Sequence, residues 1–287
     1  VAIRNGEWIA ARALIHPERF GEASGHLPAR HDYASRLDRY LRRIDYLKSR
    51  LGIPLIASLN GDSLSGWVEL GRELEAAGAD ALELNAWHLP GDAEESGSSV
   101  EDRYLTLLSE LRASVGLPIA LKLSPFFSSL PHFVRQAEAA GAAGVSLFNR
   151  FFQPDIDLDT LSVIDQAQLS TSADGLLAMR WIAILRGQTT LTLAASGGVH
   201  SADDVLKMLL AGADVTHVAS AILLNGPDHI ARMLEALQTW LAEREYASIE
   251  QLKGSMSQRN HPDPAAYARS AYLNAIDSFT PPAGVRY

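Results

Sequence analysis

Short apolar runs alternate along this chain with longer segments of helical periodicity, and this alternation constrains the fold more than any other feature. The runs show little strict polar alternation, which is typical of strands buried on both faces of a parallel sheet. They span residues 54–60, 80–85, 118–124, 144–149, 190–196 and 215–220. Between them, apolar residues recur at the spacing of one helix face. These sets are Trp67/Leu70/Leu74/Ala77, Tyr104/Leu107/Leu108/Leu111 and Val205/Met208/Leu209.

Glycines punctuate this alternation. Gly78, Gly141 and Gly212 each follow an apolar helical segment and precede a strand within a few residues, a position that suits the left-handed end of a helix. Repeated strand–helix units joined by short turns predict a parallel sheet with helices outside. The first strand lacks the G-x-G-x-x-G turn of a dinucleotide-binding sheet, and glycine-rich signals follow the last two strands, where barrels bind phosphate. The pattern therefore favours a closed barrel over an open sheet.

The predicted fold class is α/β, a TIM (β/α)8-type barrel that is incomplete at the N-terminus. Six strands are evident where a barrel needs eight; residues 8–15 are a candidate seventh, and the first strand is missing. Residues 22–33 are polar and rich in His, Gly and Pro, which predicts a loop, and a helix is predicted over 39–51. We expect one barrel domain over 1–287, with 244–287 as a C-terminal helical tail.

Composition excludes several classes of function. The chain of 287 residues has a net charge of −9 and no basic run, which argues against nucleic-acid or anionic-membrane partners. It contains no cysteine, so thiolate chemistry and disulfides are excluded, and we expect a cytoplasmic location. No apolar run reaches membrane-spanning length. No metal site is predicted, because the histidines are scattered. The alternating Asp155, Asp157 and Asp159 lack the rest of a calcium loop and are predicted to form a solvated acidic loop.

Lys122 is the first candidate for chemistry, because it interrupts an otherwise apolar strand. A buried ammonium is costly unless it is paired. One interpretation is a purely structural pair with a strand carboxylate such as Glu83. The other is a lysine that faces the pocket, either to stabilise an anion or to act as an amine nucleophile.

Three asparagines close three of the predicted strands. They are Asn60, Asn85 and Asn149. Each alone is explained as a turn residue that bonds its own loop. Together, at the carboxyl ends of strands, they are also consistent with an amide-lined pocket mouth for a flat polar ligand.

A candidate anion site follows the last two strands. Ser196, Gly197 and Gly198 lie between a strand and a helix start, so their backbone amides could form an anion nest. Ala219 and Ser220 follow the last strand. The alternative is an ordinary strand-to-helix turn, because a lone pair of glycines is a weak signal.

His88 lies just past Asn85 and is the candidate general base, since an imidazole titrates near neutral pH. A solvent-exposed loop histidine explains the same position equally well.

In their order and spacing, several stretches resemble the dihydroorotate dehydrogenase family of FMN barrels. These are residues 56–61, 78–85, 120–125, 147–150, 195–199 and 207–214. The resemblance runs from about residue 22 to the C-terminus, and 252–259 resembles the tail of a dehydrogenase-like branch. The family places a Cys or Ser base on the loop after the strand that ends in Glu-Leu-Asn, residues 80–85 here, and His88 stands at the matching position. The family's first strand has no counterpart in this chain.

The resemblance implies an FMN-dependent oxidoreductase that converts dihydroorotate to orotate in pyrimidine biosynthesis. Lys122 would lie near the flavin and stabilise negative charge on the reduced ring, with His88 as the base. Asn60, Asn85 and Asn149 would bind the substrate, and Asn149 the cofactor as well. The FMN phosphate would be held by Ser196, Gly197, Gly198, Ala219 and Ser220.

Two other functions remain open from the residues alone. A lysine on a barrel strand is also the amine nucleophile with which Schiff-base aldolases begin their reaction. The third interpretation is a flavin-binding barrel without catalytic activity. The electron acceptor stays open among fumarate, NAD through a partner subunit and quinone. The expected partners are a small dihydroorotate-like molecule and a second copy of the chain in a homodimer.

Overall fold

The computed structural model describes residues 30–59, 64–86, 88–150, 154–164, 168–265, 267 and 276–278, with only the backbone at 30–36 and 64–65. The candidate strand over residues 8–15 lies outside the described residues, as does Asn60. Most of the predicted loop over 22–33 does too.

Strands and helices alternate along the described chain. Its first half contains α1 (Arg30–Lys48), β1 (Ile56–Leu59), α2 (Leu64–Ala76), β2 (Ala81–Leu84), α3 (Gly97–Ser114), β3 (Ile119–Leu123), α4 (Leu130–Ala139) and β4 (Gly144–Leu147). A short hairpin, β5 (Asp155–Asp157) and β6 (Ser162–Ile164), and a 3₁₀ turn (Ser172–Gly175) follow. The second half contains α5 (Leu176–Leu185), β7 (Thr192–Ser196), α6 (Ala202–Ala211), β8 (Val215–His217), α7 (Ser220–Asn225), α8 (His229–Glu243), α9 (Ile249–Leu252) and a 3₁₀ turn (Gln258–Asn260).

Six strands form one parallel sheet in the order β1-β2-β3-β4-β7-β8. A single cavity of about 390 Å³ is lined by residues from all six of these strands, including Ile56 of the first and His217 of the last. The sheet therefore curls around an interior. This is the architecture of an incomplete (β/α)8 barrel, as the sequence predicts, with β1 and β8 at the two edges of the described sheet.

The helices cover the outer face of the sheet. α3 buries Tyr104, Leu107, Leu108 and Leu111, the set predicted from its periodicity. Tyr104 packs edge-on against Phe127 and Phe133, and the last two rings stack on each other. The three helix-ending glycines, Gly78, Gly141 and Gly212, all have positive φ, which confirms their predicted role.

Three local predictions differ from the structure. Helix α1 begins at Arg30, inside the predicted loop, because no Gly or Pro interrupts the chain between Pro28 and Gly52. The predicted acidic loop around Asp155 and Asp157 is instead the hairpin β5–β6. The last predicted strand ends at His217, and Ser220 begins α7.

The tail after α8 packs beneath α6. Leu252 is fully buried, and the backbone amides of Gly254 and Met256 donate to the carbonyls of Leu209 and Leu210 at the end of α6. These bonds satisfy carbonyls that a helix end otherwise leaves unpaired. That residues 1–287 form one domain with a helical tail from 244 stays a prediction. Within the described segments, no helix has both the length and the apolar character needed to cross a membrane.

Candidate active site

Lys122 lies on the inner face of the barrel and pairs with Glu83. The two strand residues are 3.4 Å apart between Nζ and Oε1, and the hydroxyl of Ser58 donates to the same carboxylate oxygen at 3.1 Å. The Glu83 side chain is only 10% exposed, and the Lys122 side chain is 20% exposed. A buried carboxylate is stable only with such partners, so the cation and the hydroxyl together offset its desolvation.

His217 completes this inner cluster from β8. Its Nδ1 lies 3.8 Å from Oε2 of Glu83 and 3.3 Å from the hydroxyl of Ser146. Burial lowers the pKa of His217; the charge of Glu83 opposes this effect and the charge of Lys122 adds to it. The lowered pKa means that a neutral imidazole, and not a second cation, faces Lys122 near neutral pH.

Asn85 and Asn149 are brought together at the carboxyl end of the sheet. The amide nitrogen Nδ2 of Asn149 donates to Oδ1 of Asn85 at 2.5 Å, although the residues follow different strands, β2 and β4. Their backbone amides donate to the carbonyls of Leu59 and Leu123, which extends the ladder to the strand ends. Strand β3, which carries Lys122, lies between them. Two of the three predicted asparagines thus form one polar edge.

A cavity of about 850 Å³ opens beside this edge, above β4 and β7. Its size is within the range of small-molecule and cofactor sites. Asn149, Ser196 and Gly197 line it, whereas Lys122, Gly198, Ala219 and Ser220 are not among its lining residues. Its other described lining residues include Arg150, Gln168, Ser170, Asp174 and Trp181.

A loop over residues 168–175 covers the predicted anion nest, and the sequence did not single it out. The backbone amide of Ser170 donates to the hydroxyl of Ser220 at 3.1 Å, and the Ser170 hydroxyl lies 3.1 Å from Nε2 of His200. The Ser-Thr-Ser-Ala-Asp-Gly composition of this loop is a turn signal, but it carries no hint of partners so distant in sequence.

Asp204, near the start of α6, anchors this loop. Its Oδ2 accepts hydrogen bonds from the hydroxyl of Ser172, the backbone amide of His200 and both the amide and hydroxyl of Ser201. Burial raises the pKa of Asp204, but these hydrogen bonds outweigh burial and leave the pKa below its usual value. The carboxylate thus connects the loop, the strand-to-helix turn and the helix.

Gly197 and Gly198 both have positive φ, but they differ in their surroundings. A β-carbon built on Gly197 meets nothing within 4 Å, so this part of the nest is open. A β-carbon on Gly198 would lie 2.1 Å from the backbone nitrogen of Gly175 in the covering loop. The described backbone therefore packs against Gly198 and leaves Gly197 available.

We expect Gly198→Ala to destabilise the protein by about 3–5 kcal/mol, because the methyl group adds a backbone clash to the strain of positive φ. Gly197→Ala is the matched control; it adds only the strain, about 1–2 kcal/mol. Urea unfolding of both variants measures the difference. Equal losses of unfolding free energy would show that the covering loop does not constrain Gly198.

His88 lies at the start of the loop after β2 and contacts two charged side chains. Its Nε2 is 2.8 Å from both carboxylate oxygens of Glu95, and its Nδ1 is 3.1 Å from Nη1 of Arg103. When Nε2–H donates to Glu95, Nδ1 carries the lone pair that accepts from Arg103. The structure thus gives His88 defined partners, both reached from α3 and the loop before it.

No cluster of three or more potential metal ligands occurs among the residues for which the structure gives positions. The candidate site consists of four parts: the Lys122–Glu83 pair, the Asn85–Asn149 edge, the cavity beside Gly197 and His88 on the loop after β2.

Comparison with known proteins identifies the family. The dihydroorotate dehydrogenase family matches residues 27–241. A dihydroorotate dehydrogenase A (fumarate) from Lactobacillus delbrueckii subsp. bulgaricus is 32% identical over 220 residues, which cover 72% of this chain and 68% of that protein. The catalytic subunit of a dihydroorotate dehydrogenase B (NAD(+)) from Thermoplasma acidophilum is 26% identical over 226 residues, 76% of this chain and 73% of that protein. Because the family match spans well over half of the sequence, this chain belongs to the dihydroorotate dehydrogenase family.

Proposed function

We propose that this chain is an FMN-dependent oxidoreductase that oxidises the CH–CH bond of dihydroorotate to give orotate. The observation that carries the proposal is the arrangement of three strands beside a cavity of cofactor size: β3 carries Lys122 on the inner face, and the bonded pair Asn85 and Asn149 follows the strands on either side of it. Family membership supports the same activity, since the relatives are named for it.

The residues around the cavity suit a flavin mononucleotide. Gly197 offers an open backbone position beside Ser196, and the hydroxyl of Ser220 lies close by, bonded to the amide of Ser170. We assign the phosphate to Ser196, Gly197, Gly198, Ala219 and Ser220, as the resemblance implies. Gly198 can offer only its backbone amide, and Gly175 packs against its α-carbon. When bound, FMN supplies the hydride acceptor that no side chain of the protein can provide.

Lys122 contributes positive charge from the inner face of the barrel. Its ammonium is held by Glu83, so it is oriented before any ligand arrives and needs no rearrangement. We propose that it stabilises the negative charge that gathers on the reduced cofactor. The contact with Glu83 is one that an ammonium makes, which favours this role over the Schiff-base alternative, where a neutral amine must attack a carbonyl.

Asn85 and Asn149 bind the substrate in this proposal. Their side chains present both donor and acceptor atoms, which match the carboxylate and the ring amides of dihydroorotate. The hydrogen bond between them fixes the orientation of both amides before substrate binds. Asn149 also lines the cofactor cavity, so it is placed to contact both molecules. We assign Asn60 to the same group by resemblance; it lies outside the described residues.

His88 is the proposed base, and Nδ1 is the atom that accepts the substrate proton. Glu95 faces Nε2, so it orients the ring and balances the positive charge that the proton brings. Arg103 occupies Nδ1 in the structure and has to yield that position to the substrate.

We expect His88→Asn to slow flavin reduction by dihydroorotate by about 10²–10⁴-fold, the usual contribution of a positioned base. Substrate binding should change little, because the asparagines remain. Anaerobic stopped-flow measurement of the half-reaction tests this, with His132→Asn on α4 as the control. An unchanged rate in His88→Asn would move the base to another residue.

The visible spectrum of the purified protein tests the function as a whole. We expect flavin absorbance that bleaches on anaerobic addition of dihydroorotate, regardless of which acceptor completes the cycle. A protein that takes up no FMN would overturn the proposal. A bound flavin that dithionite reduces but dihydroorotate does not would support FMN binding and contradict the substrate. The cytoplasmic location and the homodimer remain predictions from the sequence.

A further inference from the structure

A second polar cavity lies at the opposite end of the barrel from the candidate active site. It has a volume of about 590 Å³ and is formed where β7 and β8 begin, by the turn after α5 and by the tail that packs under α6. The described lining residues on which the argument depends are Arg186, Thr192, Asp214, Lys253, Arg259 and Asn260. None of them belongs to the catalytic proposal.

Basic side chains outnumber acidic ones in this lining. Arg186, Lys253 and Arg259 carry three positive charges, and Asp214 carries the only negative charge among the described lining residues. Such an excess is unexpected in a protein of net charge −9, where the average surface is acidic. A cavity with this balance attracts anions.

Asp214 is already neutralised without Arg259. Its carboxylate accepts two hydrogen bonds from Nη1 of Arg186, at 3.1 and 3.2 Å, and lies 3.0 Å from Nζ of Lys253. The backbone amide of Leu193 donates to the same carboxylate at 3.0 Å. Lys253 also pairs with Glu250 at 2.7 Å. This network accounts for Arg186 and Lys253 structurally and leaves the third cation unexplained.

Arg259 lines the cavity as an exposed side chain and has no hydrogen-bond or ion-pair partner among the described residues. Its side chain crosses Gly187 so closely that a β-carbon there would lie 2.6 Å from Cδ of Arg259. Across the described segments, no carboxylate or other acceptor bonds to its guanidinium. The hydroxyl of Thr192, on the same wall, is likewise unbonded within that part of the chain. A planar fork of donors that is placed but unpaired is suited to an oxyanion.

From this arrangement we propose that the second polar cavity binds a small oxyanion, which is the phosphate or carboxylate group of a metabolite. Arg259 is its principal ligand. The hydroxyl of Thr192 supplies a neutral donor, and Asn260 keeps one amide hydrogen after Nδ2 donates to the carbonyl of Gly254 at 2.8 Å. Arg186 and Lys253 add positive charge without leaving Asp214. The site is independent of the proposed catalytic function and lies at the other end of the strands.

Titration calorimetry with inorganic phosphate tests the proposal, and malonate at the same ionic strength serves as the dicarboxylate probe. We expect Arg259→Gln to weaken binding at least about tenfold, because it removes a charge-assisted pair of hydrogen bonds and keeps the side-chain length. Arg50→Gln is the matched control, since Arg50 is an exposed arginine stacked on Tyr46, away from the cavity. Thermal unfolding of both variants confirms that they are folded.

The variant Ser220→Ala distinguishes this site from the proposed cofactor-phosphate site at the carboxyl ends of the strands, because it changes only the latter. The proposal is supported if Ser220→Ala and Arg50→Gln still bind phosphate or malonate and Arg259→Gln does not. The probe that binds more tightly then identifies the class of anion. Binding that is lost only in Ser220→Ala would place the anion in the proposed cofactor-phosphate site and overturn the proposal. So would binding that Arg259→Gln leaves unchanged, or the absence of binding by either probe.

Discussion

Replacing Lys122 with methionine should slow the reduction of bound flavin by dihydroorotate by roughly 10²–10³-fold, the cost of removing one preorganised electrostatic group. The ammonium lies on the inner face of β3, between the strands that carry Asn85 and Asn149. Methionine keeps much of the length but cannot stabilise negative charge. Anaerobic stopped-flow spectroscopy of the half-reaction measures the rate, and flavin titration shows whether the cofactor still binds.

The same substitution removes the cation from a buried carboxylate, so a loss of folding has to be separated from a loss of chemistry. Lys122→Met leaves Glu83 with only Ser58 and the neutral His217, which costs stability. The double variant Lys122→Met/Glu83→Gln removes both charges and should recover stability without recovering the rate. Lys207→Met, at an exposed position on α6, is the control for losing a lysine. A double variant with wild-type rate would contradict the proposed role.

Replacing Asp204 with alanine should lower the free energy of unfolding by about 2–4 kcal/mol. Asp204 is 6% exposed, and its removal leaves four donors, from Ser172, His200 and Ser201, without their acceptor. It also removes a helix-capping interaction at the start of α6. Urea unfolding measures the change. Asp203→Ala is the control, because Asp203 is exposed in the same helical turn and should cost only a few tenths of a kcal/mol.

The effect of Asp204 should depend on pH in one direction. Because its pKa is lower in the folded than in the unfolded protein, its stabilisation is fully present above the ordinary carboxyl pKa. It is lost as the pH falls through the lowered value. The difference between wild type and Asp204→Ala should therefore be constant near neutral pH and shrink in acid. A difference that grew on acidification would contradict the hydrogen-bonded carboxylate.

The strands could be predicted from the sequence because strands buried on both faces consist almost entirely of apolar residues. All six fall within the predicted ranges, and the helical faces of α2 and α3 follow from spacing alone. Helix α1 is the exception at its start: its first residues are polar, and polarity says little about where a helix begins. Apolar runs and periodicity thus predicted the sheet and its helices, but they missed the β5–β6 hairpin, the early start of α1 and the early end of β8.

Site residues could be predicted where a residue is unusual in its own strand, or where polar residues follow the ends of neighbouring strands, as Asn85 and Asn149 do. Lys122 stands out because an ammonium is rare in an apolar run, and both interpretations of it agree with the structure: it pairs with Glu83 and faces inward. The covering loop could not be predicted, because Ser170 meets a residue 50 positions away and Ser172 one 32 positions away. Contacts at such separation depend on the fold and leave no local pattern.

The pairing within the described sheet has a consequence for the behaviour of the protein in solution. Strands β1 and β8 each pair on one side with a described strand, so their outer backbone donors and acceptors have no partner within the described sheet. The four strands between them, β2, β3, β4 and β7, are paired along both sides. We therefore expect the backbone amides of these four strands to exchange hydrogen with solvent slowly, and only when the sheet itself opens.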